Sequence, residues 1–163
     1  MSTIKDKNLA TIGQQEVDWA ARQMKVLEEI KTEFSSSKPL NGLNIGACMH
    51  VTKETANLML TLKAAGANVA LCASNPLSTK DSVAAYLSEN DIEVHAVHGV
   101  SNEDFFKHLN SVLDTNPDIT MDDGADLVTL LLTDRADIPI MGSMEETTTG
   151  VIRLKSMEKN NKL

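Results

Sequence analysis

From residue 43 onward the chain alternates short apolar runs with helix-like stretches, and this alternation constrains its fold more than any other feature. Apolar runs fall at 43–48, 68–73, 92–97, 118–121 and 138–144. Between and after them, helical spacing recurs at 52–65, 79–90, 102–114, 125–133 and 147–159. Such βα alternation predicts a parallel sheet with helices on both faces, a Rossmann-like three-layer α/β domain. Right-handed crossovers then gather the C-terminal ends of the strands on one edge, where ligands bind in such sheets. Upstream, Val17, Ala20, Met24, Leu27, Ile30 and Phe34 share one helical face. They predict a long amphipathic helix over 12–34, stopped by Ser35-Ser-Ser-Lys-Pro39. The chain divides accordingly into a helix and loop, 1–42, and the α/β domain, 43–163.

Composition narrows the function. Aromatic residues make up only 3% of the chain, so the core must be built from Ala, Val, Leu, Ile and Met. That palette suits helices laid on a parallel sheet. A net charge of −8 argues against a nucleic-acid partner, whose phosphates would be repelled. Arg153, Lys155, Lys159 and Lys162 are interleaved with Glu158, Asn160 and Asn161 and read as a solvated helix end. No apolar run approaches the roughly 20 residues that span a bilayer. Met-Ser-Thr-Ile-Lys-Asp-Lys is followed by no apolar signal core, so a cytoplasmic chain is expected. Cys48 and Cys72 lie in apolar strand-like runs and read as buried free thiols. Two cysteines make no structural zinc site, and His95, His98 and His108 lack ligand spacing, so no metal is expected.

Four polar clusters follow predicted strands and converge on the ligand edge. His50 stands after the first strand; its ordinary pKa near 6.5 suits proton transfer, and the plain alternative is a hydrogen bond to a loop carbonyl. Thr52 is a plausible helix cap, and Glu54 complements the helix dipole or accepts from a ligand amino group. Ser78 or Thr79 would cap the next helix, with ligand contact an added role for Ser78. Asp122, Asp123 and Asp126 crowd three carboxylates into five residues and invite a cation, a proton or hydroxyl ligands. A Mg²⁺-binding receiver would also need a lysine on the last strand, and 138–146 contains none. Glu145-Glu146 precede Thr147, Thr148 and Thr149, three poor helix formers where a helix should begin. Their hydroxyls and the free amides could wall a polar ligand, with Gly150 allowing close approach.

Together, His50-Val-Thr-Lys-Glu-Thr55, Asn75-Pro-Leu-Ser-Thr79, Asp122-Asp-Gly-Ala-Asp126 and Glu145-Glu-Thr-Thr-Thr-Gly150 resemble the motifs of adenosylhomocysteinase, in the form found in archaeal members. Ser37-Lys-Pro-Leu40 and Val151-Ile-Arg-Leu-Lys-Ser-Met-Glu158 extend the resemblance over nearly the whole chain. It implies the substrate domain of an enzyme that hydrolyses S-adenosyl-L-homocysteine to adenosine and L-homocysteine. There, bound NAD oxidises the ribose 3′-hydroxyl and acidifies the neighbouring C–H.

By motif position, His50 and Asp123 would be catalytic. Met49, Thr52, Glu54, Ser78, Glu146 and Thr147 would bind substrate, while Thr147, Thr148 and Thr149 would touch NAD. Lys80 and Ser82 depart from the commoner residues at their positions. The lysine and Asp/Asn pair that polarise the 3′-hydroxyl, and the Gly-rich turn for the pyrophosphate, lie beyond residue 163 in the family. The resemblance therefore implies catalysis shared with an NAD-binding part or a complementing chain, in what is usually a homo-oligomer. Two other readings stay open: a non-catalytic adenosine-binding or regulatory module, and a remnant of a truncated gene.

Overall fold

A computed structural model describes residues 1–163. Its centre is a five-stranded, all-parallel sheet of β1 (Asn44–Met49), β2 (Asn68–Ala73), β3 (Glu93–His95), β4 (Ile119–Asp122) and β5 (Gly142–Glu145), in the order β3-β2-β1-β4-β5. The predicted α/β architecture is therefore present. The strand order reverses at β1, which pairs in register with β2 on one side and β4 on the other. This reversal opens the crevice in which doubly wound sheets hold ligands.

Strand alternation builds two cores. Ile45, Ala47 and Met49 of β1 face one side, with Val69, Leu71 and Ala73 of β2. There they meet Val17 of α1 (Ala10–Ala21), Met59 of α3 (Lys53–Ala64) and Val83 and Leu87 of α4 (Asp81–Glu89). Cys48, Ala70 and Cys72 face the other side. They pack against Leu109 and Val112 of α5 (Asn102–Leu113) and Leu127 and Leu131 of α6 (Asp126–Leu131). Cys48 and Cys72 are register partners on neighbouring strands and are buried free thiols. No helix is long and apolar enough to cross a membrane.

The N-terminal segment differs from the single helix expected over 12–34. It forms α1 and then α2 (Lys25–Ser37), separated by a turn in which Gln23 and Met24 donate to the carbonyls of Ala20 and Ala21. The reason is packing. A straight helix over 12–34 would run about 35 Å, whereas the turn lets α1 pack on α4 and α3 while α2 lies along α3. α1 buries Ala10, Gly13, Val17 and Ala20, while α2 buries no residue completely and rests on α3.

Two edges close differently. Thr3 bridges to His95, so the N-terminal residues extend the sheet beside β3. β5 forms the opposite edge and is shorter than the predicted 138–144 run. Pro139 cannot donate a ladder hydrogen bond, and the strand begins only at Gly142. The last helix, α7 (Thr148–Lys159), buries only Gly150.

Candidate functional site

The C-terminal ends of β1, β2, β4 and β5 deliver His50, Ser74, Asp123 and Glu146 to one edge. His50 Nε2 lies 3.2 Å from Asp123 Oδ2, and Nδ1 contacts the Ser78 hydroxyl. Ser78 donates to the Asn75 carbonyl at 2.9 Å, leaving its oxygen to accept from Nδ1–H. Ser74 donates to Asp123 Oδ2 at 3.1 Å. Nδ1 faces Ser78, and Nε2 faces the Asp123 carboxylate. The side chain of His50 is 45% exposed and that of Asp123 13%, so the pair is anchored from below and open above.

Beside this pair a cleft of about 640 Å³ runs between α2 and the start of α3. Met24, just before α2, and Leu27 and Ile30 of α2 form one wall, and Met49, Glu54 and Glu146 line the other. The break between α1 and α2 therefore has a use: it lays an apolar wall opposite the polar strand ends. Thr52 caps α3, accepting from the Thr55 amide, and its hydroxyl proton stays free. Glu54 has its side chain 53% exposed and only a distant Lys53 ammonium, 3.9 Å away, as a charged neighbour. Glu146 makes no side-chain hydrogen bond. Desolvation and the nearby carboxylates of Asp123 and Glu145 raise its pKa above the ordinary range.

The three carboxylates of 122–126 point three ways rather than meeting around a cation. Asp122 turns inward and accepts from the Leu127 and Val128 amides, both at 2.9 Å, so it serves α6 rather than a ligand. Burial outweighs those bonds and pushes its pKa up to about 6. Asp126 pairs with Arg153 at 2.8 Å, and Asp123 alone faces the cleft side. Capping by Ser78 or Thr79 also does not occur. Lys80 holds the cap position of α4 without a side-chain bond, because Ser78 is engaged with His50 and Asn75.

At the start of α7 the threonines divide their duties. Thr147 is the cap: its hydroxyl accepts from the Gly150 amide at 3.0 Å and donates to Glu145 Oε1 at 2.7 Å. Its proton is already committed, so toward a ligand it can only accept. Thr148 and Thr149 are exposed and make no side-chain hydrogen bond within the protein. Gly150 does not leave room for a ligand, as its sequence position suggested. A Cβ there would overlap the Glu145 carboxyl group. Glu145 was missed in the sequence because it sits beside Glu146. Strand alternation was the available signal, since neighbours on a strand face opposite sides.

Comparison with known proteins identifies the family. The family model of S-adenosyl-L-homocysteine hydrolase matches residues 1–140. The adenosylhomocysteinase of Pyrococcus abyssi is 47% identical over 98% of this chain and 38% of its own length. That of Saccharolobus solfataricus is 50% identical over 98% of the chain and 39% of its own. The S-inosyl-L-homocysteine hydrolase of Methanococcus maripaludis is 48% identical over the full chain and 40% of its own. The chain thus spans about two fifths of the length of these curated relatives. A family match over most of the sequence, on a fold that brings its motifs to one sheet edge, places this chain in the S-adenosyl-L-homocysteine hydrolase family.

Proposed function

We propose that this chain supplies the nucleoside-binding and proton-transfer half of S-adenosyl-L-homocysteine hydrolysis, acting with an NAD-binding part outside residues 1–163. The observation that carries the reading is the His50–Asp123 pair, which neighbours Glu146 on the rim of a half-apolar cleft. The apolar wall of Met24, Leu27 and Ile30 suits a purine face, and Glu146 on the cleft rim, with Asp123 near it, suits ribose hydroxyls. His50 beside Asp123 can exchange a proton with a group lying over the exposed edge of the imidazole. Ser74 and Ser78 keep Asp123 and His50 facing each other during that transfer.

NAD, when bound, supplies the hydride acceptor for the ribose 3′ carbon. The free hydroxyls of Thr148 and Thr149, on the first turn of α7, match the amide and hydroxyl groups of a nicotinamide riboside. They are the residues here that would meet it. The buried free thiols fit a reducing, cytoplasmic setting.

Relatives carry two substrate names, adenosyl and inosyl, and the chemistry of Glu54 favours the first. A carboxylate is an acceptor only. It attracts the 6-amino donor of adenine and opposes the 6-oxo acceptor of hypoxanthine. Calorimetry on the 163-residue chain should show saturable adenosine binding, with inosine at least about tenfold weaker. Glu54→Gln should narrow that gap. A flat adenosine trace at millimolar ligand would sink the nucleoside reading, and an inosine preference would reverse the substrate. Mixing with a chain that carries the NAD domain should restore hydrolysis.

A further inference from the structure

Glu145 stands at the end of β5 with its carboxylate turned away from the cleft, yet it holds more hydrogen bonds than any other carboxylate near the site. Oε1 accepts from the Thr147 amide at 2.8 Å, the Thr147 hydroxyl at 2.7 Å and the Gly124 amide at 3.0 Å. Oε2 accepts from the Ala125 amide at 2.7 Å and again from Gly124 at 3.2 Å. The two loops so joined are the ones that matter. Residues 122–125 carry Asp123, and residues 145–149 carry Glu146 and the threonines.

Local backbone strain sharpens the point. Gly124 and Ala125 both have positive φ, 114° and 63°. For alanine that conformation costs about 1 kcal/mol or more and persists only where the surroundings enforce it. The enforcing group is the Glu145 carboxylate, which takes both of their amide protons. Gly150 leaves the space that carboxylate fills. Burial would raise the Glu145 pKa, but the hydrogen bonds from Thr147, Gly124 and Ala125 outweigh it and hold the group below the ordinary range.

We infer that Glu145 is a positioning residue: it fixes the loop bearing Asp123 against the loop bearing Glu146 and Thr147, and so sets the spacing of the groups that meet the ribose. For the ribose this rests on the nucleoside reading above; for the coupling of the loops it does not. Glu145 needs a carboxylate specifically. A glutamine of the same length would turn an NH₂ group toward amide donors that now meet an oxygen.

The test uses the 163-residue chain with Glu145→Gln, Gly150→Ala and the double variant. Gly150→Ala leaves the carboxylate in place chemically but removes the space it occupies. Each single variant should weaken adenosine binding about 10- to 100-fold while the chain still melts cooperatively, as misplacement of about 1 Å does in preorganised sites. The double variant should be no weaker than the worse single, since both break one linkage. Unchanged affinity in either single variant, or losses that multiply, would overturn the inference. Amide exchange and the His50 ring resonances give a readout independent of ligand. Glu145→Gln should expose the Gly124, Ala125 and Thr147 amides and move the His50 ring signals through Asp123. If wild-type chain shows no adenosine binding, the nucleoside reading fails alone; silent His50 resonances in Glu145→Gln would end the positioning role.

Discussion

Replacing Gly13 by alanine sets two opposed effects against each other, and the structure decides the sign. Alanine in mid-helix gains about 1 kcal/mol over glycine, from propensity and from a less free unfolded chain. On an exposed helix face that gain would be the whole result. Gly13, however, lies where α1 crosses α4. A Cβ there would stand 2.6 Å from the Ser82 carbonyl carbon, closer still to its oxygen, and 2.9 Å from Tyr86 Cβ. Carbon contacts settle at about 3.5–4.0 Å, so α1 must withdraw by about 1 Å. The obstacle is backbone and cannot rotate aside. Overpacking costs about 1–3 kcal/mol, and this site belongs at the upper end. Withdrawal also stretches the Glu16–Ser82 side-chain bond at 2.5 Å, one turn along the same contact.

The net expectation for Gly13→Ala is a loss of about 2 kcal/mol. Urea unfolding followed by tryptophan fluorescence is the direct assay, because the chain's single tryptophan, Trp19, rides on α1. A midpoint shift with an unchanged slope would report stability alone. If Gly13→Ala proves about 1 kcal/mol more stable than wild type, the close approach of α1 to α4 is wrong.

Asp122→Asn should flatten part of the acid-range stability profile. The folded-state pKa of Asp122 is raised from 3.8 to about 6, so its contribution is full below pH 3.8 and lost as pH rises through 6. The difference corresponds to about 3 kcal/mol. Denaturation of both proteins at pH 4 and pH 7 measures it, and parallel profiles would refute the burial of that carboxylate. Thr147→Ala should loosen α7 locally by about 1 kcal/mol, a normal cap loss. Because α7 buries only Gly150, the effect should appear as faster amide exchange at 148–151 with little change in the global melt. A large drop in overall stability would show α7 to be more deeply packed than described.

The regular part of the fold was readable because periodicity and burial agree. β1 and β2 are apolar on both faces, and each lies within a residue of its expected bounds. What the sequence concealed was set by long-range packing. Arg22-Gln23-Met24 contains neither glycine nor proline, yet the chain turns there, with α1 packed on α4 and α2 on α3. In the site, residue type pointed to the right edge but not to the right job. Asp122 and Asp123 look alike in sequence. One faces the α5–α6 side and caps a helix, while its neighbour meets His50. Glu145 and Glu146 part in the same way. Identical side chains one residue apart on a strand end differ in which layer they enter, and only the sheet tells which.

The strand order has a kinetic consequence. His50 and Ser78 are 28 residues apart and meet once β1 and β2 have paired. Docking β4 against β1 closes a longer loop, seen where Asp118 takes the Asn44 amide across 74 residues. The entropy of closure grows with loop length, so β4 is expected to join later. The His50–Ser78 half of the site should then form before Asp123 arrives, and a ligand that needs Asp123 should recognise only a sheet with β4 in place. Adenosine should then slow unfolding and leave the folding rate alone, so stopped-flow rates would test whether β4 docks after the folding transition state.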